Sequence, residues 1–214
     1  MSAEGWLADT RTSYDTLATT YAERTRDLLS RTPYERAALA LFADQVREAG
    51  DGPVADVGCG TGRITAHLNG LGLDVFGVDL SPAMVAEARR AYPALRFEVG
   101  SMTELDLPDA SLAGLLAWYS LIHIPDEELG GVLSRFRRMV RPGGPLLVAF
   151  HVGDGAELKT RGFDGLPINV HVHKRRPDGL AARLDAAGFE VEAQTTLRSA
   201  ESSLGGMLFA HRRP

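Results

Sequence analysis

Asp56-Val57-Gly58-Cys59-Gly60-Thr61-Gly62 is the stretch that decides the fold. The residues leading into it, PVADV at 53–57, read as a buried strand, and residues 63–69 read as a helix. Three glycines at alternate positions between a strand and a helix let the chain turn sharply and let a ligand approach the backbone. N–H groups left open at the helix start are expected to receive a carboxylate or phosphate. A glycine triplet alone also suits a plain strand-to-helix turn, and a second feature argues against that reading. Asp79 ends the next strand-like run, LDVFGVD at 73–79, and lies 21 residues beyond Gly58. An acid there accepts hydrogen bonds from both ribose hydroxyls of a nucleoside cofactor. Ser81 is the better helix N-cap, because Pro82 follows it at the first helical position.

Outward from this centre, strand-like and helix-like segments alternate. LRFEVG at 95–100 reads as a third strand. LAGLLAWYS at 112–120 is apolar nearly throughout, as a central parallel strand should be. A helix is expected over 126–140, stopped by Arg141-Pro142-Gly143-Gly144, and PLLVAFH at 145–151 begins a fifth strand. Pro177 to Ala187 reads as a helix closed by Gly188, and FEVEAQTTL and MLFAHRR as a terminal strand pair joined through the serine-rich 198–206. On the N-terminal side, Pro33 opens an amphipathic helix ending near Gly50. Within residues 1–31, Tyr14, Leu17, Ala18 and Tyr21 recur at helical spacing. Only 153–176 loosens the pattern, and it reads as an excursion over the top of the sheet containing a short strand. The fold expected is α/β with a mostly parallel sheet, in one domain spanning 1–214.

Composition narrows the function classes. The chain has 214 residues, 44% hydrophobic, with a formal charge of −5. The densest basic patch, Lys174-Arg175-Arg176, is too short to track a phosphate backbone, so no nucleic-acid partner is expected. Cys59 is the one cysteine, which leaves no intrachain disulfide and no cysteine-rich zinc site. A reducing, cytoplasmic setting is expected. No basic segment followed by an apolar run opens the chain, and no stretch of about 18 apolar residues suggests a membrane span.

NAD and S-adenosylmethionine fit the glycine loop and Asp79 almost equally on physical grounds. The string VADVGCGTGRITAHL at 54–68 resembles the first motif of the class I S-adenosylmethionine-dependent methyltransferases. GVDLSPAMVAEAR at 77–89, SLIHIPDEEL at 120–129 and RRMVRPGGPLLVAF at 137–150 match that family in order and spacing. SYDTLATTYAER at 13–24 looks like the N-terminal lead of its small-molecule branch (type 11/25-like). The resemblance implies a Rossmann-like sheet of seven strands in the order 3-2-1-4-5-7-6, with S-adenosylmethionine as cofactor. By that likeness Gly58, Cys59, Gly60 and Gly62 would border its methionine part. Asp56 would order the loop or reach the amino group through water, Asp79 would bind the ribose, and Leu80 and Met84 would flank the adenine. Where the family often has an adenine-contacting acid, this chain has Ser101 and Met102. Trp118 and Tyr119 would stand beside the methionine moiety, and Tyr14 and Tyr21 would belong to a helical lid over 1–31.

Methyl transfer needs an acceptor lone pair in line with the sulfonium methyl, and positioning supplies much of the catalysis. A base helps where the acceptor carries a proton, and His123, just past the fourth strand, is the candidate. Trp118, His123, His151, His171, His173 and Arg175 are the candidate substrate contacts, the last three within a substrate-side excursion at 153–176. The histidines lack the carboxylate or cysteine spacing of a metal site, so none is expected. The activity expected is methylation of oxygen or nitrogen on a small metabolite, a reading that includes secondary metabolism, by a monomer or homodimer. The alternatives are a cofactor-binding protein without turnover, or a nucleic-acid or protein methyltransferase. AWYSLIHIP stands where base-amino methylation would call for an Asn/Asp-Pro-Pro-aromatic motif. No paired-glutamate loop of the protein-arginine type is present either.

Overall fold

The computed structural model describes residues 3–198 and 204–214, so the serine-rich joint expected at 198–206 falls mostly outside the described residues. A long helix, α1 (Ala3–Thr25), comes first and extends well beyond the aromatic face that the spacing marked. Next is α2 (Pro33–Glu48), with proline in its first turn and Leu39, Phe42, Ala43 and Val46 buried along one face. β1 (Val54–Val57) is buried at all four positions and leads through the glycine loop into α3 (Arg63–Gly70). β2 (Val75–Asp79), α4 (Pro82–Ala91) and β3 (Phe97–Val99) follow. The Ser81 hydroxyl caps α4 by accepting from the Met84 N–H at 3.1 Å, as the Ser-Pro pair predicts.

β4 (Gly114–Trp118) is buried throughout and ends in a short 3-10 turn at Leu121–His123. α5 (Asp126–Met139) carries three acids in its first turn and Arg137 and Arg138 in its last, the arrangement its dipole favours. β5 (Pro145–His151), β6 (Ala156–Arg161), β7 (Pro167–His173), α6 (Pro177–Ala186), β8 (Phe189–Arg198) and β9 (Leu204–Arg212) complete the chain.

Seven strands form one sheet in the order β3-β2-β1-β4-β5-β9-β8. The first five are parallel, and β9 runs antiparallel between β5 and β8. Counted within this sheet, the order is the expected 3-2-1-4-5-7-6. The chain numbering departs from it because β6 and β7 form a separate two-stranded antiparallel unit. The excursion at 153–176 is therefore a hairpin, not a single short strand. All six residues of β6 are exposed, so no apolar alternation marks it in the sequence.

β1 lies between β2 and β4, and here the order of strands along the sheet reverses. A crevice forms beyond the C-terminal strand ends at such a switch point. One apolar layer packs α5 and α6 side chains such as Phe136 and Leu180 against one face of the sheet. The opposite layer packs Phe42 and Val46 of α2 and Leu68 of α3. α1 joins the first layer only through Trp6 and Leu7 near its start. Its Leu17 and Ala18 pack on Met84 of α4, beside Leu166 and Ile168 of the hairpin, which carries it over the strand ends.

Candidate functional site

The three loop glycines adopt the left-handed region, with φ of 79° at Gly58, 54° at Gly60 and 78° at Gly62. Their surroundings differ. A Cβ at Gly58 would stand 2.2 Å from Ser120 Cβ, and one at Gly62 would stand 2.7 Å from the Phe97 ring. A Cβ at Gly60 would meet nothing within 4 Å. Gly58 and Gly62 thus serve close packing, while Gly60 faces open space.

Four N–H groups of the loop itself are engaged within the chain. The N–H groups of Gly58 and Cys59 donate to the Val78 carbonyl at 2.7 and 3.1 Å. That of Gly60 donates to Asp79 Oδ2 at 2.7 Å, and that of Gly62 to the Cys59 carbonyl at 3.0 Å. The turn consumes its own donors in closing. The Cys59 side chain also packs inward, against Val85, Ala88 and Phe97, and burial pushes its thiol pKa up.

Asp79 is the hinge of this arrangement. Oδ1 accepts from the Ser81 N–H at 2.9 Å while Oδ2 holds Gly60. Each oxygen keeps a further lone pair. Burial raises its pKa to about 6 despite these two bonds. Asp56 is also buried, its pKa raised to about 7 by desolvation, with Thr65 donating to Oδ2 at 2.7 Å. Asp56 Oδ1 has no partner, and neither does the buried Nη1 of Arg63. Both residues border one small cavity, together with Gly58, Gly60 and Tyr21. The sequence reading missed Arg63. A cation in the first turn of a helix is disfavoured by the helix dipole, and that was the available signal.

Above the loop opens a cleft toward solvent. Asp79, Leu80, Met84, Ser101 and Met102 line one end. Trp118, Tyr119 and His123 line the other, and α1 contributes Trp6, Thr10, Tyr14 and Tyr21. Tyr119 has φ of 52°, a conformation unfavourable for a bulky side chain, at the point where the chain leaves β4.

His123 borders the cleft with both ring nitrogens engaged. Its Nε2 lies 2.6 Å from the Tyr14 hydroxyl and its Nδ1 2.9 Å from the His171 carbonyl oxygen. A carbonyl only accepts, so the proton sits on Nδ1 and Nε2 accepts from Tyr14. Burial pushes the His123 pKa down to about 4 and lifts that of Tyr14 above the usual phenol range. The imidazole is therefore neutral at pH 7. Nitrogen NMR is expected to find the Nδ1–H tautomer of His123 from pH 8 down to about pH 5. A titration midpoint near 6.5 would contradict this geometry.

Four expected substrate contacts lie elsewhere. His151 packs on the Tyr119 ring with centroids 5.2 Å apart, and it is not among the residues lining the cleft. His171 and His173 border an adjoining cavity that shares His123 with the cleft. Arg175 is only 6% exposed and serves structure. It donates from Nη1 to the Leu121 carbonyl at 2.8 Å, from Nη2 to the Ile124 carbonyl, and from Nε to Asp126 at 3.1 Å. It thereby pins the turn that carries His123. Replacing Arg175 with alanine leaves the buried Ile124 carbonyl without a donor and the Leu121 carbonyl with only the Ile124 N–H, so unfolding free energy should fall by about 2 kcal/mol. Urea denaturation reads this; an unchanged midpoint would place the guanidinium outside the fold's support.

These features fit a zwitterionic nucleoside ligand. Gly60 offers an open cradle, Asp56 and Arg63 present an unpaired acceptor and an unpaired donor, and Asp79 keeps acceptor capacity.

Residues 54–144 match the family model of a methyltransferase domain. A demethylmenaquinone methyltransferase of Beutenbergia cavernae is 38% identical over 96 residues, 45% of this chain and 39% of that protein. A probable S-adenosylmethionine-dependent methyltransferase of Mycolicibacterium smegmatis is 32% identical over 140 residues, 65% of this chain and 52% of that protein. The chain thus spans about half the length, or less, of these curated relatives. Among solved structures, a DhpI complex with S-adenosylhomocysteine superimposes with a TM-score of 0.77 at 24% identity, covering both chains fully. The 1,6-didemethyltoxoflavin-N1-methyltransferase of Burkholderia thailandensis gives 0.72 at 22% identity, covering 100% of this chain and 92% of that one. At these identities the superpositions establish the fold.

Proposed function

We propose that this chain is a class I S-adenosylmethionine-dependent methyltransferase that methylates oxygen or nitrogen of a small molecule held between α1 and the end of β4. The observation that carries the reading is the pairing of a cradle at Gly60 with a carboxylate at Asp79 under one cleft. S-adenosylmethionine, when bound, supplies an electrophilic methyl. Asp79 accepts from the ribose hydroxyls while its N–H contacts keep its oxygens aimed. Asp56 Oδ1 takes the amino group, and the Arg63 guanidinium takes the carboxylate. Leu80, Met84 and Met102 give the base an apolar slot. α1 acts as a lid that excludes water once Tyr14 and Tyr21 have closed on the cleft.

An acceptor that loses a proton gives it to the Tyr14 oxygen as the Tyr14 proton passes to His123 Nε2. The imidazole then carries the positive charge that the methyl donor loses. Net charge in the buried site stays constant, so a histidine with pKa of about 4 can still serve. Tyr14 is the group that touches substrate, and His123 stands behind it. The His171 carbonyl, accepting from Nδ1, stabilises the imidazolium.

Asp79 also sets a pH dependence. Its carboxyl in the free protein has a pKa of about 6, so protonation below that pH removes the acceptor the ribose needs. Affinity for S-adenosylhomocysteine should therefore fall by about tenfold from pH 8 to pH 5. Calorimetry at both pH values reads this, and tighter binding at pH 5 would refute the role. The activity itself is tested by incubating the chain with S-adenosylmethionine and pools of small phenols and amines. Formation of S-adenosylhomocysteine with a small-molecule pool is expected. Formation only with added RNA or protein would favour a macromolecular substrate instead.

A further inference from the structure

Beyond the wall formed by Trp6, Thr10 and His123 lies a second cavity. These three residues line both the cleft and this cavity, so the two are adjacent chambers. The outer chamber is assembled from α1, the start of α5 and β7, which contribute Asp9, Glu127 and Asn169 among others. Its lining contains two carboxylates and no lysine or arginine among the described residues. The guanidinium of Arg175, two residues past His173, is committed to the Leu121 and Ile124 carbonyls and to Asp126.

Asp9 Oδ2 accepts from the Asn169 amide at 2.8 Å, and neither Asp9 nor Glu127 forms an ion pair among the described residues. The chamber wall adds an independent sign of a ligand. Trp6 is 8% exposed, and its indole N–H is buried without a partner. A buried donor without an acceptor costs free energy that a ligand oxygen recovers. The Ser13 hydroxyl accepts from the Asn169 N–H at 2.9 Å and ties α1 to β7, so the chamber's two walls are held together.

We propose that this outer chamber is a specificity site for the methyl acceptor, and that it takes a protonated amine on the part of the substrate remote from the methylated atom. The inference rests on the methyltransferase reading above. Asp9 and Glu127 receive the ammonium group, and the Trp6 N–H receives an oxygen of the same molecule. Substrates bearing a carboxylate at that position are repelled by the same two acids.

Three phenols of one ring and different charge test it: tyramine, p-cresol and 4-hydroxyphenylacetate. Each is titrated into the full chain saturated with S-adenosylhomocysteine. Tyramine is expected to bind at least about tenfold more tightly than 4-hydroxyphenylacetate, with p-cresol between them. In the Asp9→Asn, Glu127→Gln double variant the ratio should shrink to about threefold or less, with S-adenosylhomocysteine affinity unchanged. Absence of tyramine binding, equal binding of tyramine and the acid, or a preference that survives the double variant would overturn the inference while leaving the methyltransferase reading intact. Failure to bind S-adenosylhomocysteine at all would instead overturn that reading and, with it, this one.

Discussion

Replacing Asp79 with alanine is expected to weaken S-adenosylhomocysteine binding by about a hundredfold. Two hydrogen bonds from ribose hydroxyls to a buried carboxylate are lost, together worth roughly 3 kcal/mol. A further loss comes from the loop. Asp79 Oδ2 fixes the Gly60 N–H at 2.7 Å, and without it the cradle is no longer held in place. The fold should survive, because the ionised carboxylate is itself unfavourably buried in the free protein, as its pKa of about 6 records. Isothermal calorimetry paired with circular dichroism separates the two effects. A folded variant with unchanged affinity would refute the ribose role. The Asp79→Asn variant should lose nearly as much, since an amide nitrogen facing the Gly60 or Ser81 N–H presents donor to donor.

Alanine at Gly58 and alanine at Gly60 should fail in opposite ways. At Gly58 the new methyl would sit 2.2 Å from Ser120 Cβ on a backbone with φ of 79°. Relief requires β1 and the end of β4 to separate, which also breaks the 2.6 Å bond from the Ser120 hydroxyl to the Val57 carbonyl. The expected cost is about 4 kcal/mol or more, enough to unfold a chain of ordinary stability. At Gly60 the φ of 54° is one that non-glycine residues reach at a cost of about 1–2 kcal/mol, and the methyl meets nothing in the protein. Gly60→Ala should therefore fold and lose cofactor affinity by about tenfold or more, because the methyl occupies the cradle. Equal stability of the two variants would contradict this division of labour.

The sequence makes legible what is local in the chain. Strand, glycine loop, helix and Asp79 fall within 54–79 and read off spacing and chemistry, as does the Ser81-Pro82 cap. The order of the main sheet follows from the family resemblance of that segment and its downstream motifs. What escapes is set by partners distant along the chain. Ser120 and Phe97 decide that Gly58 and Gly62 pack while Gly60 stays open. The closure of the loop onto Val78 and Asp79 consumes the N–H groups that a bare glycine motif appears to offer. Tyr14 reaches His123 across 109 residues, which gives a lone histidine a buried phenol as its partner. Arg175 reads as a substrate contact beside Lys174 and Arg176, yet the 3-10 turn at Leu121–His123 draws it into the interior. β6 carries no apolar signature, because it is exposed along its whole length and held only by pairing with β7.

The most direct test of the central claim is a calorimetric titration of the full chain with S-adenosylhomocysteine at pH 8. The account predicts saturable binding of one molecule per chain, lost in Asp79→Ala and sharply weakened in the folded Gly60→Ala variant. No binding to the wild-type chain, or binding that neither variant disturbs, would contradict it.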